Sequence, residues 1–149
     1  DVDIRYIVNM VHDAGIDVMA NYLVGLPGDT HETMQCTLDL GLELCTRGWN
    51  MYAAMALPGS RLYKEALENG NDLPDDYIGY SFHSYETLPL PTESLSPAEI
   101  LKFRDEAWTK YHTHEPFLNL IEKKSGKRAR QDILDMTKIK LKRKILEGQ

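Results

Sequence analysis

Apolar residues recur at helical spacing from the start of the chain, at Ile4, Ile7, Val8, Val11 and Ala14, and Gly15 follows as a stop. The pattern then changes. Ile16 to Leu26 is nearly continuous in apolar and β-branched residues and too short for a second long helix. It reads as a strand of the parallel-sheet kind, buried on both faces. Pro27-Gly28 ends it. Asp29-Thr30-His31-Glu32 reads as a helix start, with Asp29 as cap and Glu32 reaching back. The helix that follows carries Met34, Leu38, Leu42 and Cys45 on one side, with Leu40 and Leu44 beside them, until Gly48. A second strand runs from Trp49 to Leu57 and ends in Pro58-Gly59. Ser60 then caps a short helix through Glu68, with Leu62, Ala66 and Leu67 inward and Gly70 after it.

Helix, strand, helix, strand, helix over residues 1–70 implies a parallel, right-handed crossover. Both strands end in Pro-Gly and feed a capped helix, the repetition expected of a βα barrel or a doubly wound sheet. Two parallel strands are too few for an independent sheet of either kind. Missing N-terminal strands are therefore expected, and the opening on Asp1, directly into an amphipathic pattern, is read the same way.

Residues 71–95 are rich in Pro, Asp, Tyr and Ser and read as an irregular loop, of a length that suggests a lid or binding segment. Residues 96–149 read as a helical C-terminal subdomain. Ser96 caps, Pro97 takes the first helical position, Glu99 completes the box, and Leu95 with Ile100 forms a staple. Ile100, Phe103, Ala107 and Tyr111 line one face, with Trp108 flanking. Pro116 starts a helix that Gly126 stops. A last helix is expected from about Arg128 to Leu146, with Leu134, Leu141 and Ile145 on one stripe.

Composition adds bounds. The chain has 149 residues, is 42% hydrophobic and carries a net charge of −6, which allows a core and argues against nucleic acid as the main partner. Ten of its 17 basic residues lie between Lys123 and Lys144. They read as a solvated basic helical tail or as a docking face for an acidic partner. Cys36 and Cys45 are spaced for neither a disulfide nor a zinc or cluster site, and read as buried free thiols in a reducing, cytoplasmic setting. No apolar run suggests a membrane span.

In parallel α/β folds chemistry gathers where strands end and helices begin. Here those places are Gly25-Leu26-Pro27-Gly28-Asp29 and Ala56-Leu57-Pro58-Gly59-Ser60. Gly25 and Gly28 let backbone approach a ligand, and the helix starts offer free N–H groups. In the loop, His83, Tyr85 and Glu86 are the substrate-side candidates, able to exchange protons or hold a polar group. His112 and His114 point about 200 degrees apart on a helix and cannot share a metal. His12 and His31 are expected at the surface, and Arg104-Asp105 as an ordinary ion pair.

The stretch Ala14-Gly15-Ile16-Asp17-Val18 through Asn21-Tyr22-Leu23-Val24-Gly25-Leu26-Pro27-Gly28-Asp29-Thr30 resembles the fifth strand of radical S-adenosylmethionine barrels. In the cobalamin-binding subfamily it commonly reads Gly-Phe-Ile-x-Gly-x-Pro-Gly-Glu-Thr. Ala56-Leu57-Pro58-Gly59-Ser60-Arg61-Leu62-Tyr63 resembles that subfamily's Pro-Gly-Thr-x-Leu-Tyr segment after the sixth strand. The resemblance covers residues 1–70, and Asn21, Leu23 and Asp29 depart from the usual Gly, Ile and Glu. It implies a C-terminal part of an incomplete (β/α) TIM-like barrel, class α/β, followed by an α-helical tail.

The resemblance also implies a site. Asn21, Leu23, Val24, Gly25, Leu26 and Gly28 would line the adenine side of S-adenosylmethionine, with Met55 and Leu57 supporting from the next strand. The [4Fe-4S] ligands, Cys-x-x-x-Cys-x-x-Cys in that family, are absent here and expected N-terminal to Asp1. The implied parent is an oxidoreductase or transferase acting on a small molecule, with cobalamin as a further candidate cofactor. An anaerobic magnesium-protoporphyrin monomethyl ester cyclase is among the family's activities. This chain alone is expected to be inactive, to pair with the N-terminal remainder of its polypeptide, and to self-associate through exposed strand edges. Two other readings stay open: a non-catalytic βα module, and another barrel enzyme with a phosphate-type ligand at Gly28 and Gly59.

Overall fold

The computed structural model describes residues 2–147. Asp3 accepts hydrogen bonds from the N–H groups of Arg5 and Tyr6 and so starts α1 (Ile4–Asp13). After it come β1 (Met19–Val24), α2 (His31–Leu44), β2 (Gly48–Ala53), α3 (Arg61–Glu68), α4 (Pro97–His112) and α5 (Glu115–Met136). Short 3-10 turns cover Tyr77–Tyr80 and Lys144–Leu146. β1 and β2 pair in parallel, with Met19 opposite Gly48 and Val24 opposite Ala53. The α/β class and the parallel crossover are therefore as the sequence predicts.

The period-2 alternation of a strand sends its side chains to two faces. Val24 on β1, with Trp49, Met51 and Ala53 on β2, enters one core with Met34 and Leu38 of α2, Ile100, Ala107 and Tyr111 of α4, and Phe117, Leu118 and Ile121 of α5. Tyr111 ties this core to the start of β2. Its ring stacks on Trp49 at 4.7 Å and its hydroxyl donates to the Thr46 carbonyl at 2.5 Å. Burial pushes the Tyr111 phenol far above its ordinary pKa. A second small cluster joins Ala56, Ala66 and Leu90.

Several expectations need correction. The strands are buried on one face only: Met19, Asn21 and Leu23 are exposed, because α2 and α4 cover the opposite side. Thr30, one residue later than expected, caps α2 and forms its box with Thr33, while the Asp29 carboxylate accepts from Leu26 N–H and Thr33 Oγ1. Leu67 is exposed, and only Ala66 of α3 is fully buried. Cys36 is free but exposed, and Cys45 is half-buried at the left-handed end of α2.

The C-terminal segment departs most. Gly126 breaks α5 at φ 89°, as expected, but the second half ends at Met136, ten residues short of Leu146. Arg143 explains the early end. Its guanidinium is wholly buried, donating to both Asp105 oxygens at 2.8 and 2.9 Å, to the Ser84 carbonyl and to Thr87 Oγ1. Lys144 N–H donates to the Tyr85 carbonyl. These long-range bonds draw residues 137–146 back over the 71–95 segment, where a continuous helix could not reach. The basic tail is thus not uniformly solvated. Arg104-Asp105 is not an isolated pair either, since Asp105 serves two arginines.

Candidate functional site

Leu26-Pro27-Gly28-Asp29 and Leu57-Pro58-Gly59-Ser60 fold into the same turn at the same end of the sheet. Asp29 N–H donates to the Leu26 carbonyl at 2.9 Å, and Ser60 N–H to the Leu57 carbonyl at 3.0 Å. Gly28 and Gly59 both have φ 87°. Proline second and a positive φ third define a type II turn, which selects glycine for conformation. Space plays no part, because a Cβ would meet nothing within 4 Å at either position.

Gly25 is different. It has φ 74°, and a Cβ there would lie 2.7 Å from Ile100 Cγ2. Its missing side chain lets α4 approach the end of β1, so the space expected for a ligand is filled by Ile100. Gly28 N–H donates to Glu93 Oε2 at 2.9 Å, while the Thr92 and Ser94 hydroxyls donate to the Asp29 carbonyl at 3.0 and 3.2 Å. Residues 92–94 therefore latch onto the first turn. Hydrogen bonds from backbone N–H groups, its own and that of Gly28, hold the Glu93 carboxyl below its ordinary pKa.

The uncovered face of the sheet carries the rest of the site. The register sets Asn21 beside Asn50 and Leu23 beside Tyr52. Asn50 Nδ2 donates to Asn21 Oδ1 at 3.0 Å. Tyr52 packs on Phe82 at 5.0 Å, which brings the 71–95 segment to the edge of this face. Leu23, Leu26 and Leu57 are 54%, 42% and 53% exposed, an apolar rim about the strand ends. Met55 is half-buried, and Val24 points into the core, so it offers this face only backbone.

Two edges flank that face. Val18 and Val24 carbonyls accept from Gly48 and Ala54 N–H groups, so Ala20 and Tyr22 also point into the ladder. The backbone groups of Met19, Asn21 and Leu23 point outward, and none has a partner among the described residues. On β2 the Met51 carbonyl points outward and accepts from Arg104 Nε at 2.9 Å.

The substrate-side candidates do not converge. His83 is exposed and lines a cavity beside Trp108. Tyr85 donates to Glu147 at 2.5 Å, which raises its phenol pKa, and Glu86 pairs with Lys144 at 2.9 Å. These two hold the tail. Asn50, Tyr52, Phe82 and Glu93 were missed. The alternation Trp49-Asn50-Met51-Tyr52-Ala53 held the signal for the first two, since it opposes an apolar core face to Asn50 and Tyr52.

Among the described residues no group of three His, Cys, Asp or Glu side chains could hold a metal ion, and no helix is long and apolar enough to cross a membrane. No protein-family model matches the chain, and no curated protein matches it.

Proposed function

We propose that this chain forms the last two βα units of a radical S-adenosylmethionine-type barrel and supplies the adenine-side wall of its cofactor site. One observation carries the reading: two parallel neighbours end in matching Leu-Pro-Gly turns on one side of a sheet whose second face leaves Asn21 and Leu23 exposed. In an incomplete barrel that face would be the interior, and the outward groups of β1 would pair with a further strand. Asn21 and Asn50 offer amide donors and acceptors suited to a purine edge. Leu23, Leu26 and Leu57 offer apolar surface for its ring. When bound beside a reduced cluster, the cofactor supplies one-electron chemistry. In this reading the cluster's ligands would come from another part of the polypeptide. Residues of this chain bind and orient; they do not carry the redox step. A reducing, cytoplasmic setting and a small-molecule substrate go with this reading.

Glu93 weighs against the phosphate alternative, because a carboxylate already sits on the Gly28 N–H that a phosphate would need. The test is the polypeptide encoded with the residues before Asp1. A Cys-x-x-x-Cys-x-x-Cys motif there, and S-adenosylmethionine binding weakened at least about tenfold by Leu23→Glu, are expected. Absence of the motif, or unchanged affinity in that variant, overturns the proposal.

A further inference from the structure

Between the start of β2, α4 and the stretch after α5 lies a cavity of about 400 Å³. It shares Asn50 with the exposed sheet face but includes neither Leu-Pro-Gly turn. Both tryptophans of the chain, Trp49 and Trp108, stand in its wall. On one side the Trp108 ring lies 4.4 Å from His112. On the other, Met136, Ile139 and Leu141 are exposed, Ile139 by 71%, although each is a large apolar residue.

Arg104 reaches the slot between these walls, and its charge is incompletely matched. Arg143, wholly buried, takes both oxygens of Asp105, and Arg104 Nη1 must share Oδ1 at 2.9 Å. Arg104 Nε is spent on the Met51 carbonyl, and Nη2 has no partner among the described residues. The Arg104 side chain is only 9% exposed. Two guanidiniums thus face one carboxylate, and Lys140, whose Nζ donates to Thr109 Oγ1 at 2.9 Å, adds a third cation to the wall. His112 adds none near neutral pH: its Nδ1 donates to the Trp108 carbonyl, and burial lowers its pKa. A mostly buried cation that shares its one carboxylate gains a second counter-charge from a bound anion.

We propose that this cavity binds a planar aromatic carboxylate, with the carboxylate on Arg104 and the ring between Trp108 and the Met136–Leu141 wall. The inference does not rest on the barrel reading. Its test uses the two indole N–H signals in an NMR titration of the 149-residue chain with 2-naphthoate and with the neutral 2-naphthamide. Both signals shift saturably with 2-naphthoate, which binds at least about tenfold tighter than the amide. Arg104→Gln removes that preference. Should that variant fail to fold, Leu141→Glu, at a partly exposed wall position, lowers 2-naphthoate affinity at least about tenfold and the affinity of the neutral amide less. Equal binding of the two probes overturns the proposal. So does the lack of any saturable shift, or 2-naphthoate affinity that Leu141→Glu leaves intact.

Discussion

Met51 and Asn21 lie on adjacent strands of equal length and direction, yet the backbone groups that each turns away from the sheet meet different surroundings. Beside β2 the Met51 carbonyl takes a guanidinium N–H from Arg104, and α4 runs along the strand with Tyr111 and His112 against Trp49. Beside β1 the outward groups of Met19, Asn21 and Leu23 have no partner among the described residues. α1 exposes Ile4, Tyr6, Ile7 and Met10 and buries only Val8. A bare parallel edge is a liability that proteins normally cover. The contrast is directional: among the described residues the outer edge of β2 is engaged by Arg104 and the outer edge of β1 has no partner.

The largest effect that would sharpen this contrast is on the closed side. Asp105→Ala leaves Arg143 wholly buried without its carboxylate and is expected to cost about 3–5 kcal/mol, read as a lower urea midpoint. A loss near zero would mean that the closed edge does not depend on this network. Next, Gly25→Ala drives a methyl into Ile100 at a positive φ and should cost about 2–4 kcal/mol. Gly28→Ala meets only the conformational penalty, about 1 kcal/mol. Equal costs would show that the approach of α4 at Gly25 is not tight.

Two tyrosines give a finer comparison. Tyr111→Phe removes a buried hydrogen bond to the Thr46 carbonyl and should cost about 1–2 kcal/mol. The buried Tyr22 hydroxyl on β1 has no partner among the described residues, so Tyr22→Phe should be neutral or slightly stabilising in the same denaturation assay. The smallest effect is in pH. Burial depresses the His112 pKa below its ordinary 6.5, so the unfolded chain binds a proton that the folded chain refuses. That stability is complete above the ordinary pKa and is lost as pH falls through it towards the folded value. Urea midpoints should decline on acidification through this window, and His112→Gln should flatten that part of the decline. An unchanged slope would remove His112 from the account.

Local patterns carried much of this into the sequence. The Ser60 and Ser96 caps and the paired Leu-Pro-Gly turns each act within a few residues, and all stand in the structure, whereas helical periodicity holds only as far as Met136. The face that Asn21 and Leu23 occupy was legible only in part. A single strand cannot reveal whether its second face is covered, and near-continuous apolar content suggested burial on both sides. Arg143 and Glu93 were not legible: their partners Asp105 and Gly28 lie 38 and 65 residues away. No local pattern marks a long basic side chain as buried, and this one ended the last helix early. The separation of His83 from Tyr85 and Glu86 follows from the same tail.

Amide hydrogen exchange along β1, in a sample shown by light scattering to be monomeric, tests the directional claim most directly. The account predicts alternation: slow exchange at Ala20, Tyr22 and Val24, whose N–H groups enter the ladder, and near-unprotected exchange at Met19, Asn21 and Leu23. Outward amides as slow as the inward ones in that monomer would contradict it, because the edge would then already be filled.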